Sequence, residues 1–356
     1  LSLCTLTRKM KNRSIGIGII GLDNWYHAFP VARALHQIPT VRFTSVSDPN
    51  QKRARAFKRK LGAEKCYIDF HQLLEDPNTQ AVVICANTSL HAKIAEAAAE
   101  LGKHILIDKP IATTLEEADR IIASARRANV KLMMAYFMRF LPPLKKAKEM
   151  IERGTIGQPL ACMNLYRSRL PEDWPGSGTP GWYADPERAL AGGFLDHAVH
   201  CVDYLTWLFN DTVKGVYAEI GNLVYKQLNL DDYGVAILRF SKGGLSALES
   251  SWISKAKTQQ ILYISGSSGD ITASITDPQL AVRGRSDSFK TRKLKLPRFS
   301  PQSAFKCLVE LFVKCIATDQ HVPITGQNGR SSLEVSLAAY ESAKTKKFVS
   351  LCCENL

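Results

Sequence analysis

The chain contains 356 residues, of which 45% are apolar and 22% are charged. At about 100–200 residues per domain this length predicts two or three domains, and the composition excludes disordered, collagen-like and disulfide-miniprotein classes. Forty-seven lysines and arginines against 33 aspartates and glutamates give a formal net charge of +14. This excess predicts a surface that attracts anions such as nucleotides, phosphorylated metabolites or nucleic acid.

Hydropathy and cysteine usage predict a soluble cytoplasmic protein. No apolar run approaches the roughly 18–20 residues that cross a bilayer, so we expect no membrane association. Residues 1–11 lack the features of a secretory signal and are expected to be flexible. The nine cysteines are scattered and form no CxxC pair, which favours reduced thiols over a disulfide framework or a zinc site.

The first part of the chain alternates between short apolar runs and stretches with helical periodicity. The predicted strands are Ile15–Leu22, Val41–Val46, Ala81–Ala86, His104–Ile107 and Lys131–Ala135, and the predicted helices are Phe29–Gln37, Gln51–Leu61, Leu90–Leu101 and Leu115–Ala128. Apolar strands between helices indicate βαβ units and a parallel sheet covered on both faces. The pattern therefore predicts a Rossmann-type, doubly wound α/β domain over residues 12–135.

After a predicted helix at Pro142–Arg153, the pattern changes to a period of two. The predicted strands here are Pro159–Arg169, Val213–Val224, Tyr233–Phe240, Leu245–Trp252 and Ile261–Ser265, and helices follow at Ser303–Thr318 and Gly329–Lys347. Tight turns such as Ser241–Gly244 join consecutive strands, which favours antiparallel pairing. We expect residues 136–356 to form a C-terminal α+β domain with a large, mostly antiparallel sheet, and its final helix either stays there or packs on the first domain.

A dinucleotide-binding turn is predicted where the first strand meets the first helix. Of the three glycines in G-x-G-x-x-G only Gly21 is present, because Asp23 and Tyr26 stand at the other two positions; an ordinary turn fits this motif equally well. Asp48 ends the second strand, where a carboxylate accepts hydrogen bonds from the adenosine ribose and repels a 2′-phosphate. This favours NAD, while Arg53 and Arg55 leave NADP possible.

Two later segments carry groups suited to hydride-transfer chemistry. Residues 102–110 form a strand that ends in Asp108, Lys109 and a proline, and residues 192–203 place Asp196 and His200 four positions apart on one helix face. A lysine donates a hydrogen bond to the reacting oxygen, and a histidine takes the hydroxyl proton as hydride leaves carbon. Asp196 would orient that histidine. An ordinary surface lysine and a core histidine are the alternatives for Lys109 and His200.

Together these segments resemble the glucose–fructose oxidoreductase/inositol dehydrogenase/MocA family of NAD(P)-dependent sugar and polyol dehydrogenases. The resemblance covers nearly the whole chain, and its motifs are Asn87–His91, Asp108–Pro110, Tyr136–Pro142, Gly192–Asp203 and the tail from Pro323 to Ala343. Asp108 replaces the usual glutamate of the family, and Asn87-Thr88 replaces the common Pro-Asn. The lost glycines raise the question of where the Asp23 charge goes.

The resemblance implies a set of site residues. Lys109 contacts both the nicotinamide ribose and the substrate hydroxyl, His200 is the general base, and Asp196 is its partner or a substrate ligand. The cofactor-binding residues are Gly21, Asp23, Asn24, Trp25, Asp48, Asn87, His91, Asp108 and Lys109. The substrate-binding residues are Arg139, Arg167, Trp182, Tyr183 and His197. No metal is expected, and the sheet of the second domain is expected to form a homodimer or homotetramer.

The sequence leaves alternative residue roles and alternative functions open. Trp182 and Tyr183 either stack on a sugar ring or pin an irregular loop, and Arg167 is either a substrate ligand or a solvated charge. A sugar- or dinucleotide-sensing regulator that has lost the chemistry is one alternative function, and a redox-neutral NAD-assisted lyase or glycosidase is another. Nucleic-acid binding is supported by charge alone, and we expect none.

Overall fold

A computed structural model describes residues 14–276, 279–284 and 291–351. They form two compact units: one extends to Phe137 and includes Ser300–Arg330, and the other comprises Met138–Phe299 and the residues from Ser331 onward. The prediction for residues 1–11 lies outside the described residues. Ser300–Arg330, expected in the second domain, groups with the first unit because its helix packs there: Gln302 Nε2 donates to the Pro30 carbonyl at 2.9 Å.

The elements are numbered in chain order. The helices are α1 Trp25–His36, α2 Gln51–Leu61, α3 Phe70–Glu75, α4 His91–Glu100, α5 Leu115–Arg127, α6 Pro142–Glu152, α7 Pro186–Ala189, α8 Gly193–Phe209, α9 Pro301–Thr318 and α10 Gly326–Thr345. The strands of the first unit are β1 Ile15–Ile20, β2 Val41–Ser47, β3 Lys65–Tyr67, β4 Ala81–Ile84, β5 His104–Ile107 and β6 Leu132–Met134. Those of the second are β7 Pro159–Arg167, β8 Val213–Gly221, β9 Tyr233–Phe240, β10 Leu245–Ser251, β11 Gln259–Gly266, β12 Gly269–Ser274, β13 Gln279–Gly284, β14 Arg292–Lys295 and β15 Val349–Ser350.

The first unit is a six-stranded sheet in the order β3-β2-β1-β4-β5-β6. All its strand pairs are parallel, and the central strands are apolar and buried throughout because helices cover both faces. The predicted Rossmann-type domain is thus confirmed. Because the strands are parallel, the loops after β1, β2, β4 and β5 emerge at one edge of the sheet. The strand order reverses between β1 and β4, and such sheets bind nucleotides at this edge beside the reversal.

The second unit is a nine-stranded sheet in the order β14-β13-β12-β11-β7-β10-β9-β8-β15. Neighbouring strands in this sheet are antiparallel except β7 and β10, which are parallel. Strand β7 lies between β10 and β11, although it precedes both in the chain. The predicted mostly antiparallel sheet is confirmed. Strands β12–β14 were not predicted; they are short and mix apolar with polar residues, so their periodicity is weak.

The two faces of this large sheet differ. Helix α8 is buried along nearly its whole length and packs on β9 and β10. The other face exposes apolar side chains that are neighbours across strands. Tyr217 lies opposite Ile237, and Met163 lies opposite Tyr263. In the described parts of the chain, no helix is both long and apolar enough to cross a membrane.

Candidate active site

The turn after β1 requires glycine at Gly21. Its φ is +80°, in the left-handed region that side chains disfavour, and a Cβ there would lie 2.4 Å from Ala86 Cα. The turn is fastened to both neighbouring strands, since Gly21 N donates to the Ser47 carbonyl and Asn24 N to the Cys85 carbonyl, at 2.8 and 2.9 Å. The one glycine that survives from the fingerprint is therefore the one that the packing requires.

Asp23, which replaces the second glycine, directs its charge into protein contacts. One carboxylate oxygen accepts hydrogen bonds from Asn87 N at 3.0 Å and from Asn87 Nδ2 at 2.9 Å. The other oxygen lies 3.8 Å from an Arg53 guanidinium nitrogen. Asp23 thus ties the turn after β1 to the loop after β4, and Arg53 offsets its charge.

Tyr26, which replaces the third glycine, does not obstruct packing of α1 on the sheet. It is 42% exposed, and its ring stacks on Trp25 with centroids 3.7 Å apart. Trp25 in turn meets Phe29 edge-on. The two aromatic rings form a surface at the first turn of α1, beside the phosphate turn.

Asp48 is buried, with 2% exposure, at the end of β2. Its two oxygens accept hydrogen bonds from Leu22 N at 2.9 Å and Asn50 N at 2.8 Å. Burial, with a contribution from the charge of Asp23, raises the pKa of Asp48 to about 6 despite these hydrogen bonds. Each oxygen retains a lone pair with which it can accept a hydrogen bond from a hydroxyl group.

Asp108, at the end of β5, is the centre of a buried polar network. Its carboxylate accepts from Asn24 Nδ2 and from Lys109 N at 2.7 Å, and it lies 2.7 Å from His27 Nδ1. Burial alone would raise the pKa of Asp108, but His27 and the Lys109 charge lower it overall. His27 was not among the predicted site residues. The sequence shows only that a histidine lies in the first turn of α1, and this does not reveal its contact with Asp108.

The residues that follow Asp108 are held by His91. Lys109 is 4% exposed and precedes a cis proline, Pro110. His91 Nδ1 lies 2.8 Å from the Pro110 carbonyl and Nε2 lies 3.0 Å from the Ala86 carbonyl. Burial lowers the pKa of His91. Both ring nitrogens face main-chain carbonyls, so His91 is arranged to position the two loops.

Two buried polar atoms at this edge lack a protein partner. Within the described residues, Asn24 Oδ1 and Thr88 Oγ1 make no hydrogen bond. Buried polar atoms of this kind are rare in native proteins. Together with the Asp48 carboxylate and the glycine turn, they supply the acceptors and the hydroxyl that a dinucleotide's ribose and amide groups would need. The hydrogen-bonding groups at this edge therefore fit NAD.

In the second unit, Asp196 and His200 lie in the first half of α8, and both are buried. Asp196 Oδ2 accepts a hydrogen bond from Trp252 Nε1 at 2.8 Å and lies 3.5 Å from His197 Nδ1. Trp252 is fully buried. It was not predicted as a site residue, because its link to Asp196 joins positions far apart in the chain.

His197 is fixed from two further directions. Its Nε2 lies 2.6 Å from Ser168 Oγ, and its ring stacks on Tyr166 at 3.9 Å with an interplanar angle of 6°. Trp182 and Tyr183 are buried in a cluster with Trp252. This burial is compatible with side chains that hold the loop in place, and stacking of Trp182 and Tyr183 on a sugar ring stays a prediction.

Both arginines predicted to bind substrate are engaged in ion pairs. Arg139 forms a two-pronged hydrogen-bonded pair with Asp203 at 2.9 and 2.6 Å, and both side chains are buried. Arg167 pairs in the same way with Glu249. Each carboxylate engages two of the five guanidinium N–H groups and offsets the positive charge, so each pair also joins two distant segments of the second unit. Substrate binding by Arg139 and Arg167 stays a prediction. No group of three or more metal-ligating side chains occurs among the residues the structure describes.

Comparison with known proteins gives consistent matches. The model of an oxidoreductase family with an NAD-binding Rossmann fold matches residues 15–136, and that of the GFO/IDH/MocA C-terminal domain matches residues 144–272. Myo-inositol 2-dehydrogenase of Thermotoga maritima is 29% identical over 341 residues, which cover 95% of this chain and 97% of that protein. The scyllo-inositol 2-dehydrogenase (NAD(+)) of Bacillus subtilis is 26% identical, with 92% of each chain covered.

A solved structure of levoglucosan dehydrogenase, in complex with NADH and levoglucosan, is similar in fold. Its TM-score is 0.86 at 23% sequence identity, and the match covers 95% of this chain and 99% of that one. The fold similarity extends over both units of this chain.

Proposed function

Because the chain belongs to the GFO/IDH/MocA family of NAD-binding oxidoreductases and is a dehydrogenase acting on CH–OH groups, we propose that it oxidises a secondary hydroxyl of a sugar, polyol or sugar derivative. The observation that carries this proposal is that each unit by itself holds the groups this chemistry needs: Asp48 and Lys109 follow strands β2 and β5 of the Rossmann unit, and Asp196 and His200 lie in helix α8 of the second unit. The names of the relatives, inositol and levoglucosan dehydrogenases, support this substrate class.

The residues of the first unit hold NAD. Gly21 permits the tight phosphate turn, Asp48 accepts the adenosine ribose hydroxyls, and Asn24 and Thr88 supply the buried acceptor and hydroxyl. NAD is preferred over NADP because a 2′-phosphate would meet the Asp48 carboxylate. Arg53 is directed to Asp23 rather than left for a phosphate.

The chemical roles follow from the donor and acceptor character of each side chain. When bound, NAD supplies a nicotinamide carbon that accepts a hydride. Lys109 donates a hydrogen bond to the substrate oxygen, and His200 accepts the hydroxyl proton. Asp196, itself held by Trp252 Nε1, accepts a substrate hydroxyl or orients His200.

Steady-state kinetics of single variants test these roles. Lys109→Ala and His200→Ala are each expected to lower kcat by about 10²–10⁴-fold, the usual effect of removing a general acid or base. Lys103→Ala is the matched control, because Lys103 precedes the start of β5, at the opposite end of the strand from Lys109, and donates to the Thr79 carbonyl. Full activity of either variant on the true substrate would show that the replaced residue does not have the proposed role.

A substrate panel tests the reaction class. Inositols, aldoses, anhydrosugars, uronic acids and amino sugars are assayed with NAD and NADP for production of reduced cofactor. We expect NADH to accumulate with one of these classes. Cleaved product without accumulated NADH would indicate instead the redox-neutral lyase or glycosidase reaction, and no turnover with any class would overturn the proposal.

We further propose a cytoplasmic homo-oligomer. The cysteines that the structure describes are free thiols, in keeping with a reducing compartment. The exposed apolar face of the nine-stranded sheet is suited to pairing with a second copy of the chain, since large exposed apolar patches mark interfaces.

A further inference from the structure

Helix α8, which carries Asp196 and His200, begins without a capping side chain of its own. The first N–H groups of a helix have no partner within it, and a Ser, Thr, Asp or Asn side chain at the N-cap normally accepts from them. The N-cap here is Gly192, which has no side chain to accept such a hydrogen bond. Something else must therefore satisfy these donors.

Asp231, in the segment before β9, takes that role. Its carboxylate accepts from Gly192 N at 3.0 Å and from Phe194 N at 2.8 Å. Its main-chain carbonyl accepts from Gly193 N at 2.9 Å. One residue about 40 positions away in sequence thus serves three successive N–H groups at the start of the helix.

Tyr340, on α10, completes the arrangement. Its hydroxyl accepts from Leu195 N at 3.2 Å and donates to Asp231 Oδ1 at 2.9 Å. The phenol therefore satisfies the next N–H group and holds the carboxylate in place. Burial raises the pKa of Asp231, while these donors favour the ionised form, and a negative charge at a helix N-terminus is stabilised by the helix dipole.

The two glycines of the Gly192-Gly193 pair make this approach possible. A Cβ on Gly192 would lie 1.9 Å from the Asp231 carbonyl oxygen, and one on Gly193 would lie 2.8 Å from the Asp232 carbonyl oxygen. The carbonyl of Asp232 also accepts from Trp252 N at 2.8 Å. The same pair of aspartates thus fastens both the helix that carries Asp196 and the tryptophan that donates to it.

We propose that Asp231, together with Tyr340, is a positioning residue that sets the placement of Asp196 and His200 by capping α8 from outside the helix. This inference rests on the proposed dehydrogenase function for the roles of those two side chains. Asp196 lies in the first turn after the capped N–H groups, so loss of the cap displaces it directly.

The test compares Asp231→Ala, Asp231→Asn and Tyr340→Phe with the control Asp211→Ala. Asp211 follows the other end of α8 and also accepts main-chain N–H groups, but it is partly exposed, whereas the Asp231 carboxylate lies against the start of the helix. We expect Asp231→Ala to lower kcat per folded molecule by about ten- to hundredfold, since a misplacement of about 1 Å costs this much. The KM for NAD should stay within about twofold of wild type.

The conservative variants separate positioning from general loss of structure. Asp231→Asn keeps one acceptor oxygen and should recover part of kcat, and Tyr340→Phe should fall between Asp231→Ala and wild type. If kcat per folded molecule of Asp231→Ala matched that of Asp211→Ala, the proposal would be wrong. A parallel rise in the KM for NAD would also overturn it, because that result indicates general destabilisation.

Hydrogen exchange tests the cap even if no substrate is found. In Asp231→Ala, amides at the start of α8 should exchange about fivefold faster or more, the effect of losing a typical cap, while those at its end do not change. Unchanged exchange at the start would overturn the inference. An absence of turnover in the wild-type protein would instead count against the proposed function.

Discussion

At the scale of single residues, Asp48 illustrates a conflict between stability and binding. A carboxyl whose pKa is raised to about 6 by burial binds its proton more tightly in the folded chain than in the unfolded chain, where the pKa is 3.8. The folded state therefore gains stability as the pH falls from about 6 toward 4. Above that window the ionised carboxylate lowers the free energy of unfolding by about 3 kcal/mol, at 1.36 kcal/mol per pKa unit.

Asp48→Asn is accordingly expected to raise the melting temperature of the NAD-free protein at pH 7.5, with little gain at pH 4. The loss of one main-chain hydrogen bond reduces this gain by about 1 kcal/mol. The same variant should raise the KM for NAD and narrow the preference for NAD over NADP, because the repulsive charge is gone. Thermal denaturation at both pH values and kinetics with both cofactors measure these effects.

Asp69→Asn is the control for this prediction. Asp69 accepts from His71 N at the start of α3 and is exposed, so its replacement should leave the KM for NAD unchanged. A lower melting temperature for Asp48→Asn at pH 7.5 would contradict the assignment of an unfavourable buried charge.

At the scale of elements, the turn between β1 and α1 depends on the close approach of Gly21 to Ala86. Gly102 has a similar positive φ of +67°, but among the described residues, its two chain neighbours apart, no atom would lie within 4 Å of a Cβ there. Comparing the two positions separates the cost of the backbone conformation from the cost of the contact.

Gly102→Ala is therefore expected to lower the free energy of unfolding by about 1–2 kcal/mol, the cost of the left-handed conformation alone. Gly21→Ala should cost clearly more, about 3 kcal/mol or above, since the Ala86 backbone must move. It should also weaken NAD binding, whereas Gly102→Ala should not. Denaturant unfolding and NADH binding measured by fluorescence check both statements, and equal destabilisation by the two variants would contradict the close-contact argument.

At the scale of the whole molecule, one face of the large sheet in the second unit exposes apolar side chains to water. Met163 is 67% exposed and Tyr263 49%; the two are directly opposite each other on β7 and β11. Ile237 and Tyr217 continue this row onto β9 and β8. Covering these side chains with a second copy would remove a continuous apolar stripe from water.

If the chain forms the proposed homo-oligomer through this face, Met163→Lys is expected to convert it into monomers, because a lysine at the centre of an apolar interface loses its hydration without a partner. Sedimentation velocity over a range of concentrations measures this change. Ile68→Lys is the control: Ile68 is 54% exposed but lies in the first unit, so the mass should stay that of the wild type. An unchanged mass of Met163→Lys would contradict the proposal that this face joins two copies of the chain.

Much of this protein is determined by local sequence. Apolar runs and helical periodicity predict the strands and helices of the Rossmann unit except the short elements β3 and α3. Period-two runs predict the central strands of the large sheet, because burial on one or both faces leaves a repeating pattern. The Asp108-Lys109-Pro110 segment and the Asp196–His200 spacing likewise lead to the side chains proposed to carry the chemistry, since each pattern lies within a short stretch of sequence.

Only the tertiary structure decided which distant partners these side chains contact. Asp23 turns to Asn87, 64 positions away, and Arg139 is taken by Asp203, 64 positions away. Arg167 pairs with Glu249 and Asp196 with Trp252, over 82 and 56 positions. The insertion of β7 between β10 and β11 and the capping of α8 by Asp231 are of the same kind. Such contacts depend on strand order and register, which bring distant residues together and leave no periodic signal in the sequence.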